Sequence, residues 1–512
     1  MDRVLDRIVN QPPAAGHRIS FVRLDGSTSY EFTEVFALAR RLAARLHELG
    51  LRPGDRIGVL AANSLEWVLL DLAALRLQLV VAGFEPGKFT ADDALIARYE
   101  LAILFTDRAV AQAADSRIHS TAEVLGLAEA ADPTESAEFV GEISPVRFAD
   151  DQIVTLKFTS GSSGEPKGLG ARAGSVNSSI SAVQQMFGHG DGDNLFLFLP
   201  LSLLQQRYWI YSALCYGHDV TVSTYEAAFP ALRIAQPTVV MGVPGFYETA
   251  KKHLEAQARR AGADIPVEQA LRESSRKLFG DRIRYLWTGS APASAAMLRF
   301  FTELDLPIYE GYGLNETCIV AKNHPGAHRE GSVGQVLAGK QVLLDEAGVI
   351  SVRSDYPVNS HYSYAGPGDS EKMFVADGLV RTGDLGYLDD DGFLFIRGRA
   401  DDVIVLDNGK KIIVRPIEER LKASPAIEEC VLYCPSQTRL IAVVSPATEP
   451  ADEQAISAHV AASNAELAAD EQIHRVVLAT DRFSVANGLL SGQFKPLRKQ
   501  ILEQYRSEIH AG

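Results

Sequence analysis

Residues 151–168 read DQIVTLKFTSGSSGEPKG. The apolar, β-branched run from Ile153 to Phe158 predicts a buried strand. From Thr159 onward the composition changes: three glycines (Gly161, Gly164, Gly168), three serines (Ser160, Ser162, Ser163) and Lys167 crowd into the next nine positions. Such a segment forms neither helix nor strand readily, but it can turn many backbone N–H groups inward, and its hydroxyls add donors. Pro166 fixes the backbone just before Lys167, whose ammonium supplies a positive charge. This donor set suits a polyphosphate; an exposed flexible loop is the plain alternative. The following stretch, ARAGSVNSSISAVQQMFG at 171–188, has helical spacing. The order predicted is therefore strand, Gly/Ser loop, helix, which phosphate sites favour.

The flanking sequence carries the same rhythm. Residues 30–86 alternate helix-period runs, Gly/Pro turns and short apolar strands, the βαβ pattern of a mostly parallel sheet. It resumes in DNLFLFLPLSLLQQRYWIYSALCYGHDVTVS, PTVVMGVPGFYETA and RIRYLWTGSAPASAAMLRFFTELDLPIYEGYGLNE, with Gly/Pro breaks where strands end. Ligands of open α/β sheets sit at those carboxyl ends. After residue 330 short alternating strands with Gly turns predict an antiparallel β unit, in which LDDDGF reads as a hairpin turn, since calcium-loop ligand spacing is missing. From the charged junction GRADD onward, about 110 residues suffice for one small α+β domain. The expected fold class is α/β: a large N-terminal domain, 1–398, of layered parallel-rich sheets with helices plus a small β unit, then a small mobile α+β domain, 399–512.

Composition narrows the function classes. A chain of 512 residues with 46% hydrophobic residues can bury a large core and exceeds one ordinary domain. A net charge of −15 disfavours nucleic acid and anionic membrane as partners. Four cysteines (Cys215, Cys318, Cys430, Cys434) lack CxxC spacing and read as buried thiols. The N-terminal twenty residues have no apolar core of signal-peptide length, and no run of about 18 apolar residues occurs. The expectation is a cytoplasmic protein without an integral membrane segment.

Four stretches in order, TSGSSGEPKG, YEGYGLNET, RTGDLGYLDDDGFLFIRGRADDVIVLDNGKKI and NGLLSGQFKPLRKQI, resemble the adenylate-forming superfamily of acyl-CoA synthetases, adenylation domains and firefly-type luciferases. VRPIEERL and the last stretch are most similar to the long-chain acyl-CoA ligase branch. The resemblance implies an AMP-forming acid ligase: a carboxylate attacks the α-phosphate of ATP, pyrophosphate leaves, and a nucleophile displaces AMP from the acyl-adenylate. It implies ATP and Mg²⁺. Positioning and charge neutralisation dominate such chemistry. Thr159, Ser160, Gly161, Ser162, Ser163, Gly164 and Lys167 match the loop holding the β- and γ-phosphates; the spacing is not that of a P-loop, whose lysine is followed by Ser or Thr.

Glu316 matches the family's magnesium-associated glutamate, a hard ligand for a hard cation, against the plain reading of a solvated loop acid. Tyr312 and Gly313 would flank the adenine. Asn315 stands where many relatives carry a threonine touching the α-phosphate, and an amide can still donate there. Asp384 matches the carboxylate that accepts both ribose hydroxyls, Arg399 a residue steadying the ribose or phosphate region, and Asp401 the hinge about which the small domain swings. Lys495 matches the C-terminal lysine that reaches the substrate carboxylate and α-phosphate; a basic surface helix with Arg498 and Lys499 is the alternative.

Where long-chain ligases carry a histidine after LPLA, this chain reads LPLSLLQQRYWIY, with Leu203 at that position. No aspartate stands nearby to pair with an α-ammonium. The acid pocket is expected at Leu203, Tyr208, Trp209, Gly289, Ser290 and Ala291, for an apolar, cyclic or aromatic acid rather than an α-amino acid. The divergent segment resembles the amide-forming group that includes coronafacic acid ligase, which favours an amine or amino acid as acceptor. CoA or a carrier-protein thiol is the alternative. A small-molecule carboxylic acid is the partner in either case.

Overall fold

The computed structural model describes residues 3–110, 116–130, 145–160, 166–261, 265–375, 378–491 and 495–511. Ile153–Ser160 is the expected strand, in a six-stranded sheet between the parallel Val80–Gly83 and the antiparallel Pro166–Arg172. That second partner corrects the expected order. After the Gly/Ser stretch comes a strand, and the helix Ala173–Phe187 starts only behind it. Thr159 pairs with Lys167 and Ser160 with Pro166, so the two strands form a hairpin. KGLGAR hides its strand character because small residues there serve close approach. Gly168 exchanges two backbone hydrogen bonds of 2.8 Å with Ser363, and a Cβ on it would lie 2.9 Å from the Tyr364 ring. Leu169 and Ala171 point into the core. Pro166 occupies the strand's first position, where its missing N–H costs least.

The second sheet has nine strands. Its centre is parallel, and the register Leu197↔Met241↔Trp287↔Tyr309 aligns the carboxyl ends of four neighbouring strands. The strand Ile308–Leu314 overruns that line by five residues, Glu310 to Leu314, and turns back to pair with Cys318–Lys322. The return is tight: a Cβ on Gly313 would sit 1.9 Å from the Cys318 carbonyl oxygen, so only glycine fits. Glu316 occupies the turn.

The helix Leu204–Tyr216 packs between these sheets with its two faces used differently. Positions 204, 207, 208 and 211 share one face by the 3.6-residue period. From it Arg207 donates to Asp71 Oδ1 (2.7 Å) and to Thr155 Oγ1 (2.9 Å), and the Tyr211 hydroxyl donates to Asp71 Oδ2 (2.5 Å). Arg207 is 1% exposed. This buried cluster fixes the helix against the helix Leu65–Arg76 and the strand Ile153–Ser160, leaving positions 205, 206 and 209 to face the carboxyl ends of the nine-stranded sheet.

The expected antiparallel unit is present. Lys340–Leu344, Val349–Ser354, Leu379–Leu388 and Leu394–Arg399 pair in sequence, and Asp384 lies opposite Arg399. The LDDDGF turn is a hairpin whose Asp389 and Asp391 accept from Arg329. Beyond the one-turn helix Ala400–Asp402, the sheet Ile427–Tyr433, Leu440–Pro446, Ile473–Leu478 and the helices Val414–Lys422 and Glu453–Glu466 build separate apolar clusters of their own. Cys215, Cys318 and Cys430 are buried free thiols and Cys434 is half-buried. No described helix is long and apolar enough to cross a membrane.

Candidate active site

Three of the four motifs meet at Asp384. The Tyr312 hydroxyl donates to its Oδ2 at 2.6 Å, and Arg399 donates to its Oδ1 at 3.1 Å and to the Thr382 carbonyl at 2.9 Å. The Asp384 N–H donates to Thr382 Oγ1 at 3.0 Å, which fixes the carboxylate's orientation. A carboxylate offers about four lone-pair sites, so two stay open for a diol after Tyr312 and Arg399 are served. Burial, then the charge of Asp384, raises the Tyr312 pKa and keeps it a neutral donor.

Lys495 comes to the same place from the C-terminal segment. Its N–H donates to Ser491 Oγ at 3.1 Å, and its carbonyl accepts from the Ser491 N–H at 2.8 Å. The side chain keeps exposed surface. Its ammonium is nevertheless crowded: desolvation draws the pKa below the ordinary lysine value, with Asp384 opposing that shift and Arg399 adding to it. The basic neighbours do other work. Arg498 is tied to Glu418 at 2.5 and 2.6 Å and faces Asp402 at 3.5 Å, holding the C-terminal segment to the helix Val414–Lys422. Lys499 is exposed. Asp401 is exposed in the turn Ala400–Asp402, 3.5 Å from the Arg399 guanidinium.

Glu316 is no solvated loop acid: it is 6% exposed. Its Oε1 accepts from the Tyr362 hydroxyl at 2.6 Å. Lys167 stands 5.1 Å from the Tyr362 ring centre and 2.9 Å from Asp369 Oδ2. The hydrogen bond from Lys167 holds the Asp369 carboxyl below its usual range. Tyr362 thus bridges the lysine of the hairpin and the glutamate of the turn. The turn is held by two more ammonium groups. Lys157 donates to the Asn315 carbonyl at 2.5 Å and Lys340 to the Thr317 carbonyl at 2.9 Å. Asn315 is exposed and Thr159 half-buried. Gly161, Ser162, Ser163 and Gly164 lie outside the described residues, as does the side chain of Ser160.

No group of three or more His, Cys, Asp or Glu able to hold a metal occurs among the described residues. Among the described residues, the Glu316 carboxylate accepts from Tyr362 through Oε1; a single carboxylate of this kind fits Mg²⁺ only where the ion would also take substrate phosphates and water.

A cavity opens at the carboxyl ends of the parallel strands. It is lined by Leu199, Gln205, Gln206 and Trp209 on one side, and by Met241, Gly242, Val243, Trp287, Thr288, Gly289 and Ser290 on the other, and it runs to Gly311, Tyr312, Gly313 and Ile319. Of the residues expected in the acid pocket, Trp209, Gly289 and Ser290 line this cavity and Leu203, Tyr208 and Ala291 do not. Tyr208 faces away, 2% exposed, with its hydroxyl 3.3 Å from Cys318 Sγ. One residue is 100° of helix, and the Arg207–Asp71 pair sets which face turns inward. Leu203 is the residue before the helix, half-buried outside the lining, and Ala291 lies beyond the turn. Ser290 adopts a φ of 69°, a left-handed backbone that is costly for a non-glycine residue.

Several residues here carry no motif signal. Tyr362 and Asp369 sit in HYSYAGPGDSEKMF, which reads as a loop. Lys157 did leave a sign: it is the one charge in an otherwise apolar strand, and a buried lysine needs a partner.

Residues 8–353 match the family model of AMP-binding enzymes, and residues 401–512 that of the AMP-binding enzyme C-terminal domain. The chain belongs to the AMP-binding enzyme family and is an adenylate-forming enzyme. A long-chain fatty-acid–CoA ligase of Mycobacterium tuberculosis is 28% identical over 92% of this chain and 90% of its own length. A carboxylic acid reductase of the same organism is 28% identical over 93% of this chain and 46% of its own. Among solved structures, ATP-bound MatB from Rhodopseudomonas palustris superposes with a TM-score of 0.79 at 20% identity, covering 99% of this chain and 100% of its own. An o-succinylbenzoate–CoA synthetase from Bacillus subtilis, solved with its acyl-adenylate, gives 0.74 at 20% identity over 96% and 98%. Both structures share the fold.

Proposed function

We propose that this enzyme activates a compact carboxylic acid with ATP and passes the acyl group to coenzyme A. The observation that carries the reading is the convergence of Arg399 and Tyr312 on Asp384, from segments far apart in sequence, with the Lys495 ammonium under the influence of both Asp384 and Arg399. Asp384 receives the ribose hydroxyls, with Tyr312 beside the adenine. Lys167 and the Gly/Ser stretch before it hold the β- and γ-phosphates, and Asn315 lies beside the α-phosphate. Lys495 faces the carboxylate and α-phosphate as one P–O bond forms to the acid and the bond to pyrophosphate breaks. Glu316 would hold Mg²⁺, which would supply charge neutralisation at the phosphates. The C-terminal domain, 399–512, then turns about Asp401 and withdraws Lys495, clearing the carbonyl for the thiol.

The acid site is the cavity that Trp209 and Trp287 both line. The two rings pack edge to face, 5.0 Å apart at 73°, into an aromatic wall that suits a ring better than a long chain. Coenzyme A as the acceptor is supported by relatives matched over most of both chains, which are CoA ligases. An amine acceptor, expected from the segment around Leu203, has no counterpart among the relatives described above. Incubation with ATP, an acid panel and either CoA or mixed amino acids decides the matter. Thioester with CoA supports the proposal; amide with no thioester overturns the acceptor, and no ATP–pyrophosphate exchange with any acid overturns the whole reading.

A further inference from the structure

The cavity face of the helix Leu204–Tyr216 carries a buried polar group with an unused oxygen. Gln206 is 6% exposed and lines the cavity, and its side-chain oxygen has no hydrogen-bond partner among the described residues. Its polar neighbours on the helix are engaged: Arg207 and Tyr211 with Asp71, Tyr208 with Cys318. The lining around Gln206 mixes apolar side chains, Leu199, Trp209, Met241 and Trp287, with Gln205 and Thr288, and the buried Thr288 hydroxyl is likewise without a partner among the described residues. A buried carboxamide oxygen left unmatched is costly, and a protein that needed only an apolar wall would carry Leu or Met there at no such cost. Trp209 lies three residues on, one helical turn along the same face, so a ring laid against the Trp209–Trp287 pair shares the cavity with Gln206.

Resting on the acid-ligase reading above, we propose that the acid is aromatic and carries a ring hydroxyl, and that Gln206 receives this hydroxyl and sets the enzyme's preference for it. A hydroxyl is the matching group because a carboxamide presents oxygen or nitrogen by a half-turn, and a hydroxyl both donates and accepts. A site built to bond a substrate hydroxyl rejects the analogue without it far more strongly than an apolar pocket rejects an added group.

The test is ATP–pyrophosphate exchange by the full chain with matched acids: benzoate, phenylacetate and cinnamate, each beside its ring-hydroxylated counterparts at every ring position. The hydroxylated member of at least one pair is expected to be preferred by about tenfold or more in kcat/KM, and Gln206→Met should bring that ratio toward one. Hydroxylated and plain acids used within about threefold of each other in every pair, or a preference that survives in Gln206→Met, overturns the proposal while leaving the ligase reading intact. Exchange absent with this panel but present with an aliphatic acid overturns the proposal and leaves the ligase reading; exchange absent with aliphatic acids as well overturns both. The wild-type ratios need no variant, so an unstable Gln206→Met does not remove the test.

Discussion

Lys495→Ala separates the two half-reactions. The lysine stands beside Asp384 and Arg399, at the edge of the cleft, with its ammonium desolvated enough to lower its pKa. A unit charge about 4 Å from a phosphate oxygen is worth roughly 4 kcal/mol at an effective dielectric near 20. The side chain keeps some contact with solvent, and part of the attraction acts on bound ATP before reaction, so about 3 kcal/mol is left for the transition state. That predicts a loss of roughly 10²–10³ in adenylate formation. Single-turnover adenylation, read as pyrophosphate release, measures it. Synthetic acyl-adenylate supplied with CoA bypasses the first step, and there Lys495→Ala should stay within about threefold of wild type, because no charge develops on phosphate oxygens beside it. Lys499→Ala, an exposed neighbour, serves as control. Equal losses in both half-reactions, or an adenylation loss under about fivefold, would refute the placement of Lys495 at the reacting atoms.

Two further outcomes follow from buried charges. Burial raises the Glu310 carboxyl from 4.5 to about 7, against an N–H from Ala293 and the charges of Lys322 and Arg415, with Glu419 adding to the rise. The folded chain therefore binds an extra proton between those values. This contribution is full below about 4.5 and is lost as pH rises through about 7. Glu310→Gln should flatten the fall in melting temperature between pH 5 and pH 8, and an unchanged slope would place the titration elsewhere. At the pocket helix, Asp71→Asn leaves Arg207 buried without its counter-charge and should cost about 3–5 kcal/mol in denaturant unfolding. Asp71→Leu with Arg207→Met should recover much of that, whereas a double variant as unstable as the single would show that packing rather than charge dominates.

The fold was legible where residues repeat with a clear period, and the site where side-chain chemistry is concentrated in a motif. Ile153–Phe158, the Asp384–Arg399 hairpin and the strand ends at Thr288 and Leu314 needed only periodicity and Gly/Pro punctuation. What escaped has a common cause: each residue's role is set by a partner distant in sequence. KGLGAR became a strand because Ser363 and Tyr364 lie against Gly168. Tyr362 and Asp369 matter because the hairpin brings Lys167 to them, and the turn at Glu316 is held by Lys157, 159 positions earlier by number. The acid pocket is the sharpest case. Choosing between Tyr208 and Gln206 requires the rotation of one helix, and that rotation is set by Asp71 on another helix, through Arg207 and Tyr211. An aromatic count in LPLSLLQQRYWIY points to Tyr208, whereas the ion pair turns Tyr208 into the core and presents the two glutamines. If that cavity takes the acid as proposed, its lining depends on a buried charge pair that does not itself line it. A change at Asp71 that left the protein folded would alter which acid it prefers before it altered how fast ATP is cleaved.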